Sequence, residues 1–488
     1  MTRRAERESM SKVDTAWLRM EQPTNLMMIT GVIVLEGPLD FERLLQTVEQ
    51  RLLTYRRFRQ RAVDGPGGAY WELDPDFDLR SQVRRVALPG RADRAELQEY
   101  VSHMASTPLM KSRPLWQYHV VENYVEGPAV VMRLHHCIAD GIALVQVFLS
   151  LTDPGPEPRP TSRDADTWRR RRASESSVFR RLLEPARDGV DLAVHAGQRV
   201  LEEGRRLVAE PSLAAHYATE AGEIMRELVH SLSLPDDPDS LFKGELGPRK
   251  EVAWTDPLPL DEVKGVAKVF GCTVNDVLIS AATGALRQYM TEQGQFPDPA
   301  FEVRATVPVN LRPLEHAKEL GNHFGLVFLS LPLGIAHPLE RLYAVHARMH
   351  ELKSSKQAAV TLGFLAALGM GPSRLQKPVL ELLSHKATTV LTNVPGPQQA
   401  LYLAGARIRH QMFWVPQNGS IGLGISILSY DGRVYFGIIA DRKRVRRPVE
   451  IIRRFRGEFD KLLYLAMLLP GDDGDAVELA EALVEDAG

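Results

Sequence analysis

The segment 134–141, with the sequence LHHCIADG, is the part of the chain that most constrains its fold. The apolar run 128–132 before it predicts a buried strand, and the apolar run 142–149 after it predicts a buried helix. The segment is therefore expected to form the turn of an α/β unit. Four fixed residues at these offsets match by chance in roughly one window in 10^5, at about one in twenty per position.

Two adjacent histidines at the end of a strand can supply acid–base chemistry, because neutral imidazole accepts a proton near pH 7. Side chains alternate between the faces of a strand, so His135 and His136 are predicted to point in opposite directions. We expect one of them to be the base and the other to brace the turn. Asp140 suits the N-cap of the following helix and can pair with an arginine, and Gly141 leaves space for a close approach of backbone or substrate.

This motif resembles the HHxxxDG signature of the CoA-dependent acyltransferase superfamily. The whole chain, from about Met10 to about Leu468, resembles the bacterial wax ester synthase/diacylglycerol acyltransferase family within it. The order and spacing of several shorter segments carry the narrower resemblance. These segments are 10–14 with Trp17, 114–116, 275–276, 308–312, 321–322 and 392–397.

The resemblance implies transfer of a fatty acyl group from acyl-CoA to the hydroxyl of diacylglycerol or of a long-chain alcohol, which makes triacylglycerol or wax ester. His136 would deprotonate the acceptor hydroxyl, which attacks the thioester carbonyl, so no acyl-enzyme is required. Asp140 would be mainly structural and held by an arginine, for which Arg59 and Arg61 are the candidates. The implied catalytic set is His136, His135, Asp140 and Gly141, and the implied substrate-binding residues are Asn275, Asp276, Pro114, Leu115 and Trp116.

Some of these residues have a structural alternative. Pro114, Leu115 and Trp116 can form the start of a strand with a packed aromatic ring. Asn275 and Asp276 can form the polar first turn of a helix, although Asn275 is also a candidate donor to the oxyanion.

The fold class implied is α/β, with two CoA-dependent-acyltransferase-like domains, each a mixed sheet with flanking helices, joined by a helical crossover. A length of 488 residues suits two domains of about 200 residues each. The expected divisions are a disordered extension (1–9), an N-terminal domain (10–152), a Pro/Arg-rich linker and helical crossover (153–246), a C-terminal domain (247–470) and an acidic tail (471–488).

Hydrophobic periodicity and turn residues predict the individual elements. Strands are predicted at 27–36, 69–73, 82–87, 116–122, 250–255, 301–309, 324–332, 387–392, 405–415, 421–429 and 433–440. Helices are predicted at 39–53, 93–105, 260–270, from Asn275 with Thr273 as cap, 338–356, 358–383 and 447–468. Asp431 and Gly432 predict a hairpin turn.

Composition limits the partners and the compartment. A formal net charge of −2 predicts no general attraction to nucleic acid. The two cysteines, Cys137 and Cys272, fit a reducing cytosol, and the apolar neighbours of Cys137 indicate packing rather than a thiol nucleophile. No metal and no cofactor beyond acyl-CoA as co-substrate are expected.

The sequence shows no signal peptide and no apolar run of the roughly 18–20 residues that span a bilayer. We expect a cytoplasmic protein, peripheral at the inner membrane or at lipid droplets. The arginines at 169–172 have three interpretations: a solvated helix face, contact with CoA phosphates, or contact with an anionic membrane surface.

Two other function classes share some of these features. Peptide-forming condensation domains share HHxxxDG, but they lie beside carrier domains, and this chain has no carrier motif. An inactive lipid-binding scaffold would not need the intact motif from His135 to Gly141. A plant-type acyltransferase would carry a DFGWG-like segment near its C-terminal end, which this sequence does not have.

Overall fold

The computed structural model describes residues 7–65, 68–158, 234–310, 324–354, 384–417 and 419–469. Strands and helices alternate in the first part of the chain. The strands are β1 (Arg7–Ser9), β2 (Met28–Glu36), β3 (Gln60–Gly65), β4 (Gly68–Leu73), β5 (Val83–Val86), β6 (Trp116–Val121), β7 (Ala129–His135) and β8 (Thr152–Asp153). The helices are α1 (Lys12–Met20), α2 (Phe41–Thr47, continued by a π-helical turn at Val48–Leu52), α3 (Leu79–Gln82), α4 (Arg94–Ser106) and α5 (Gly141–Leu151), and a 3-10 turn lies at Arg56–Arg59.

The second part of the chain contributes more strands than helices. The strands are β9 (Lys250–Trp254), β10 (Leu258–Pro259), β11 (Val303–Asn310), β12 (Phe324–Leu331), β13 (Thr389–Pro395), β14 (Tyr402–Leu403), β15 (Ala406–Trp414), β16 (Leu423–Tyr430) and β17 (Arg433–Asp441). The helices are α6 (Leu260–Val269), α7 (Val274–Glu292), α8 (Pro338–Ser354) and α9 (Pro448–Leu468). These bounds confirm the predicted elements of the described residues to within a few positions.

Two seven-stranded sheets organise the described residues. Sheet I has the order β5-β6-β7-β2-β15-β14-β8, in which only β5 and β6 run parallel. Sheet II has the order β10-β17-β16-β13-β11-β12, with β9 also paired to β17, and its parallel pairs are β16 with β13 and β13 with β11. Both sheets are mixed, as the predicted fold class requires.

Sheet I takes two of its strands from the second part of the chain. β15 pairs with β2 along its length, with Met412 opposite Val32, and β14 joins β8 through Tyr402 opposite Asp153. The predicted C-terminal domain, 247–470, therefore contributes part of the N-terminal sheet. Periodicity along the chain could not show this, because it does not report which strands pair.

The segment 1–9 was predicted to be disordered, and this is wrong for its last three residues. Arg7–Ser9 forms β1, which pairs with β4 in a small three-stranded sheet completed by β3. The Arg7 guanidinium contacts the Glu72 carboxylate at 3.4 Å and lies 4.6 Å from the centre of the Tyr70 ring. These contacts hold a charged strand that has no apolar residue of its own.

Two large hydrophobic clusters form the core: one contains the sheet I residues together with some from β9, β16 and β17, and the other lies against sheet II. β2 is buried at every position except its last, as expected for a central strand covered on both faces. α7 is buried along most of its length, packs against α8 and α9, and shares a hydrophobic core with sheet II. The turn between β16 and β17 has positive φ at Asp431 and Gly432, which confirms the predicted hairpin.

Several predicted elements lie outside the described residues. They are the helix at 358–383, most of the crossover within 153–246 and the tail at 471–488. Among the helices that the structure describes, no single one is long and apolar enough to cross a bilayer. Among the described helices, only α6 and α7 taken together have the length and apolar composition of a membrane span, and the two are bent by 99° at their junction.

Candidate active site

Residues 135–140, called the histidine turn below, have a backbone that hydrogen bonds hold from both sides. The N–H of His135 donates to the carbonyl of Leu115 at 2.9 Å, just before β6. The N–H of His136 donates to the carbonyl of Met27 at 2.7 Å, just before β2. The N–H of Ile138 closes the turn on the carbonyl of His135 at 3.1 Å. Two neighbouring strands of sheet I therefore fix the position of both histidines.

The surroundings of His135 fit a structural role in the turn. Its side chain is buried, and its Nδ1 accepts a hydrogen bond from the N–H of Cys137 at 3.1 Å. An accepting Nδ1 carries no proton, so the proton of the neutral ring lies on Nε2. Burial, together with the nearby His136 and Lys111, lowers the pKa of His135 to about 3. The ring therefore stays neutral around pH 7 and holds the turn through a hydrogen bond.

The imidazole of His136 stacks against the indole of Trp17, a residue of α1. The ring centroids lie 4.3 Å apart and the planes are inclined by 22°. In the sequence, Trp17 is part of a family segment, and nothing in its spacing from the histidines predicts this contact. Trp17 is the aromatic neighbour of the histidine that the resemblance implies to be the base.

Asp140 is the N-cap of α5, as predicted. Its carboxylate accepts the N–H of Ala143 at 2.8 Å, and its carbonyl accepts the N–H of Leu144 at 2.9 Å. The candidate arginines lie elsewhere: Arg61 binds the carboxylate of Glu72 at 2.8 Å, and Arg59 is exposed. The expectation that one of these two arginines holds Asp140 is therefore wrong.

Gly141 begins α5 at an exposed position. A Cβ placed there would meet no atom of the described residues within 4 Å. The role predicted for this glycine, to leave space for a close approach of backbone or substrate, stays a prediction. Cys137, in contrast, is completely buried, and burial raises the pKa of its thiol, so it lies in a packing position rather than in that of a nucleophile.

The segment 114–116 supports the histidine strand. Trp116 is fully buried, lies opposite Leu134 in β7 and donates its indole N–H to the carbonyl of Phe58 at 2.8 Å. The Gln82 amide bridges the carbonyls of Pro114 and Trp116 at 3.0 and 2.8 Å. These contacts favour the structural alternative for this segment, with Leu115 contributing the carbonyl that holds the turn. Substrate contact by these residues stays a prediction.

Asn275 and Asp276 lie in the first turn of α7. Asp276 and the N-cap Thr273 form a reciprocal capping box, with distances of 2.8 and 3.3 Å. The Asp276 carboxylate also contacts Nδ1 of His346 on α8 at 2.7 Å. Asn275 accepts a hydrogen bond from the amide of Asn393 at 2.7 Å, which joins two of the family segments. The cap and the contact with His346 favour a structural role for Asp276, and the substrate role of Asn275 stays a prediction.

One group of described residues has donor atoms near enough to share a metal ion. Donor atoms of Cys272, Asp276 and His346 all lie within 4.8 Å of one another. Burial raises the pKa of the Cys272 thiol to about 12, and the thiol contacts the carbonyl of Phe270. The Asp276 carboxylate already caps α7 and the Cys272 thiol already contacts a backbone carbonyl, so the arrangement favours a helix cap with a packed cysteine. The absence of a metal stays a prediction.

Family comparison agrees with this geometry. The wax ester synthase/diacylglycerol acyltransferase catalytic domain matches residues 10–278, and the WS/DGAT C-terminal domain matches residues 320–463. The chain belongs to the WS/DGAT family. The resemblance stated from the sequence is therefore confirmed, and the chain is an acyltransferase of this family.

Relatives and solved structures extend the match over nearly the whole chain. "Probable diacyglycerol O-acyltransferase tgs1" of Mycobacterium tuberculosis (strain ATCC 25618 / H37Rv) is 28% identical over 474 residues, covering 94% of this chain and 96% of that protein. The wax ester synthase/diacylglycerol acyltransferase from Marinobacter aquaeolei VT8 superposes with a TM-score of 0.65 at 20% identity, covering 94% of this chain and all of that one.

A more distant match has the same fold. The starter condensation domain of rhizomide synthetase RzmA, solved as a mutant in complex with C8-CoA, superposes with a TM-score of 0.54 at 14% identity, covering 94% and 95% of the two chains. At such identities the two structural matches show the fold alone, and this fold is the predicted one.

Proposed function

We propose that this protein transfers a fatty acyl group from acyl-CoA to the hydroxyl of a lipid alcohol, with His136 as the general base. The observation that carries the proposal is the histidine turn itself. Its backbone N–H groups are hydrogen-bonded to the residues that precede two strands, the ring of His135 is neutral and holds the turn, and the ring of His136 is stacked on Trp17. Such a fixed imidazole is what general-base catalysis requires.

The proposed reaction is a single acyl transfer between two bound substrates. The imidazole of His136 takes the hydroxyl proton as the acceptor oxygen attacks the thioester carbonyl carbon. The tetrahedral intermediate collapses, the carbon–sulfur bond breaks, and the thiolate of CoA takes the proton from the imidazolium. The products are an ester and free CoA, so the base returns to its neutral form without an acyl-enzyme.

Two side roles in this mechanism belong to the motif. His135, neutral through burial, keeps the turn in place through the N–H of Cys137. Asp140 starts α5 and so fixes the far end of the turn. No metal and no cofactor take part in the proposed reaction, since acyl-CoA is a co-substrate.

Diacylglycerol is the proposed acceptor, and triacylglycerol the product, because curated relatives that match over most of this chain bear the name diacylglycerol O-acyltransferase. Long-chain alcohols are the second candidate, because the matching family and the Marinobacter structure carry the name wax ester synthase as well. Acyl-CoA as donor has a parallel in the C8-CoA bound to the rhizomide domain.

The proposed location is the cytoplasm, at the surface of the inner membrane or of lipid droplets. The reason is chemical: a triacylglycerol or wax ester is insoluble, so the enzyme that forms it must meet a lipid phase. The arginines at 169–172, which would serve this contact, lie outside the described residues.

The deciding experiment supplies one labelled long-chain acyl-CoA with diacylglycerol and, in parallel, with a long-chain alcohol, and separates triacylglycerol from wax ester. His136→Ala should lower the rate by about 10^2–10^4. His103→Ala, which removes an exposed histidine of α4, is the matched control and should retain the parent rate. No transfer to either acceptor would refute the proposed function, and a His136→Ala rate within threefold of the parent would refute the base.

A further inference from the structure

Trp17 packs against the base of the proposed reaction and neither gives nor takes the proton that is transferred. The Trp17 and His136 side chains are both buried, with 7% and 5% of their surfaces exposed. Backbone hydrogen bonds fix where the Cα of His136 lies, and rotation about χ2, a torsion with only broad preferences, sets the plane of its ring. The stacked indole at 4.3 Å restricts that rotation, because a turned imidazole would run into the indole face.

The helix that carries Trp17 is itself anchored. Ser11 caps α1 by accepting the N–H of Asp14 at 3.0 Å. The buried carboxylate of Asp14 lies 4.0 Å from the guanidinium of Arg57, which also stacks over the ring of Trp71 at 4.2 Å. The indole therefore belongs to a helix whose position these contacts fix.

The same stretch of chain holds the backbone of His136. After α1, Gln22 and Asn25 pair through reciprocal backbone hydrogen bonds of 3.1 and 2.9 Å, and the Asn25 amide donates to the carbonyl of Gly419 at 2.9 Å. The chain then reaches Met27, whose carbonyl accepts the N–H of His136 at 2.7 Å. One segment, from α1 to the start of β2, thus sets both the place and the plane of the imidazole.

We propose that Trp17 is a positioning residue for this acyl transfer: its indole holds the His136 ring in one orientation and stabilises the imidazolium that forms during the reaction. The inference rests on the proposed function, in which His136 is the base. An indole face attracts a cation within about 6 Å of its centroid. The charge exists only after the proton has moved, so this attraction acts on the transition state more than on the bound substrates. Loss of the indole should lower kcat and leave KM almost unchanged.

A change at Trp17 leaves the charged groups near the histidine turn in place. Burial isolates the turn, but several charges still act on His135 and Cys137. Together with the helix cap, the charged groups of the described residues that act on the turn include Asp14, Glu21, Arg57, Lys111 and Asp140. Lys111 and Glu21 are paired at 2.7 Å. A shift in the pH profile on substitution of Trp17 alone would therefore report the indole and not a lost charge.

The test compares Trp17→Leu and Trp17→Phe in the full-length protein, with kcat and KM measured for acyl-CoA and acceptor from about pH 5.5 to 9. Trp17→Leu should lower kcat by about 10- to 100-fold with KM within threefold, and should move the rising limb of the kcat/KM profile to lower pH by about half to one unit. Trp17→Phe, which keeps an aromatic face, should recover most of kcat. Trp254→Leu is the matched control, since its indole is 9% exposed and contacts Trp414 rather than a histidine.

A second measurement covers the case in which Trp17→Leu does not fold. Fluorinated tryptophan placed at position 17 alone keeps the shape of the ring but weakens its attraction for a cation. The rising limb should then move to lower pH in steps as fluorine atoms are added. A role in packing only would leave the profile of every folded variant unmoved, and this result would overturn the inference.

The two proposals fail in distinguishable ways. If Trp17→Leu keeps kcat and the pH profile of the parent while His136→Ala is inactive, the inference on Trp17 is wrong and the base stands. If His136→Ala itself is active, the proposed mechanism fails first. Equal losses of kcat in Trp17→Leu and Trp254→Leu, with equal losses of thermal stability, would also overturn the positioning role.

Discussion

Removal of the Asp140 carboxylate should separate a structural role from a chemical one. The carboxylate accepts the N–H of Ala143 at 2.8 Å, and both residues are buried. Asp140→Ala leaves that N–H without its acceptor in a place that water does not reach. N-cap losses of this kind cost about 1–2 kcal/mol. For a domain of the size present here, that cost lowers Tm by about 2–8 °C.

Asp140→Asn should have a smaller effect on the cap, because the amide oxygen accepts the same hydrogen bond and Asn is as good an N-cap as Asp. The attraction between a negative charge and the helix dipole is lost, which costs about 0.3–1 kcal/mol. The assay pairs thermal unfolding with kcat for acyl transfer. In Asp140→Ala both should fall, because the turn that carries His136 ends at this cap.

The matched control is Asp93→Ala on α4. Asp93 is also an N-cap aspartate, which accepts the N–H groups of Ala95 and Glu96 at 3.0 and 3.4 Å, and it lies away from the histidine turn in sequence. The Asp93→Ala substitution should lower Tm by about as much as Asp140→Ala does and leave kcat within about twofold of the parent. An Asp140→Asn protein with the parent Tm and no activity would refute the reasoning, since it would show that the charge acts in the chemistry.

Three further outcomes are expected. The pKa of His135 lies far below its ordinary value, so the unfolded chain binds more protons than the folded one between about pH 3 and 6.5. Acidification through that window should therefore lower the free energy of unfolding, as measured by urea titration. The decrease should be smaller in His135→Asn than in the parent. Trp116→Phe removes the hydrogen bond to the carbonyl of Phe58 and should cost about 1–2 kcal/mol of stability and reduce kcat, whereas a rise in KM alone would favour direct substrate contact. Replacing the arginines at 169–172 by glutamine should weaken flotation with anionic liposomes at low salt, and equal flotation of the two proteins would identify a solvated helix face.

Local patterns predicted most of the strands and helices, because the hydrophobic periodicity of each one involves only consecutive residues. The helix predicted at 260–270 is Leu260–Val269, and the strand predicted at 250–255 is Lys250–Trp254. The caps Thr273 and Asp140 were also predictable, since a cap is a relation between residues three positions apart. The motif placed the two histidines at the end of a strand for the same local reason.

Contacts between distant parts of the chain could not be predicted from spacing. β15 joins sheet I beside β2, where Arg407 and Glu36 form an ion pair across 371 positions of sequence. The stacking of Trp17 on His136 and the hydrogen bond between Asn393 and Asn275 are of the same kind. A single sequence does not show which distant residue a polar or aromatic side chain contacts. For that reason Arg61 was predicted near Asp140 and was found on Glu72.

The contacts that hold the histidine turn differ in how strictly they depend on residue type. The carbonyls of Met27 and Leu115 accept backbone N–H groups, and a carbonyl is supplied by any residue, so those positions require only a buried side chain. The indole of Trp17 and the carboxylate of Asp140 act through their side chains, which few other residues replace. Activity should therefore tolerate apolar changes at the first two positions and depend on the side chain at the last two.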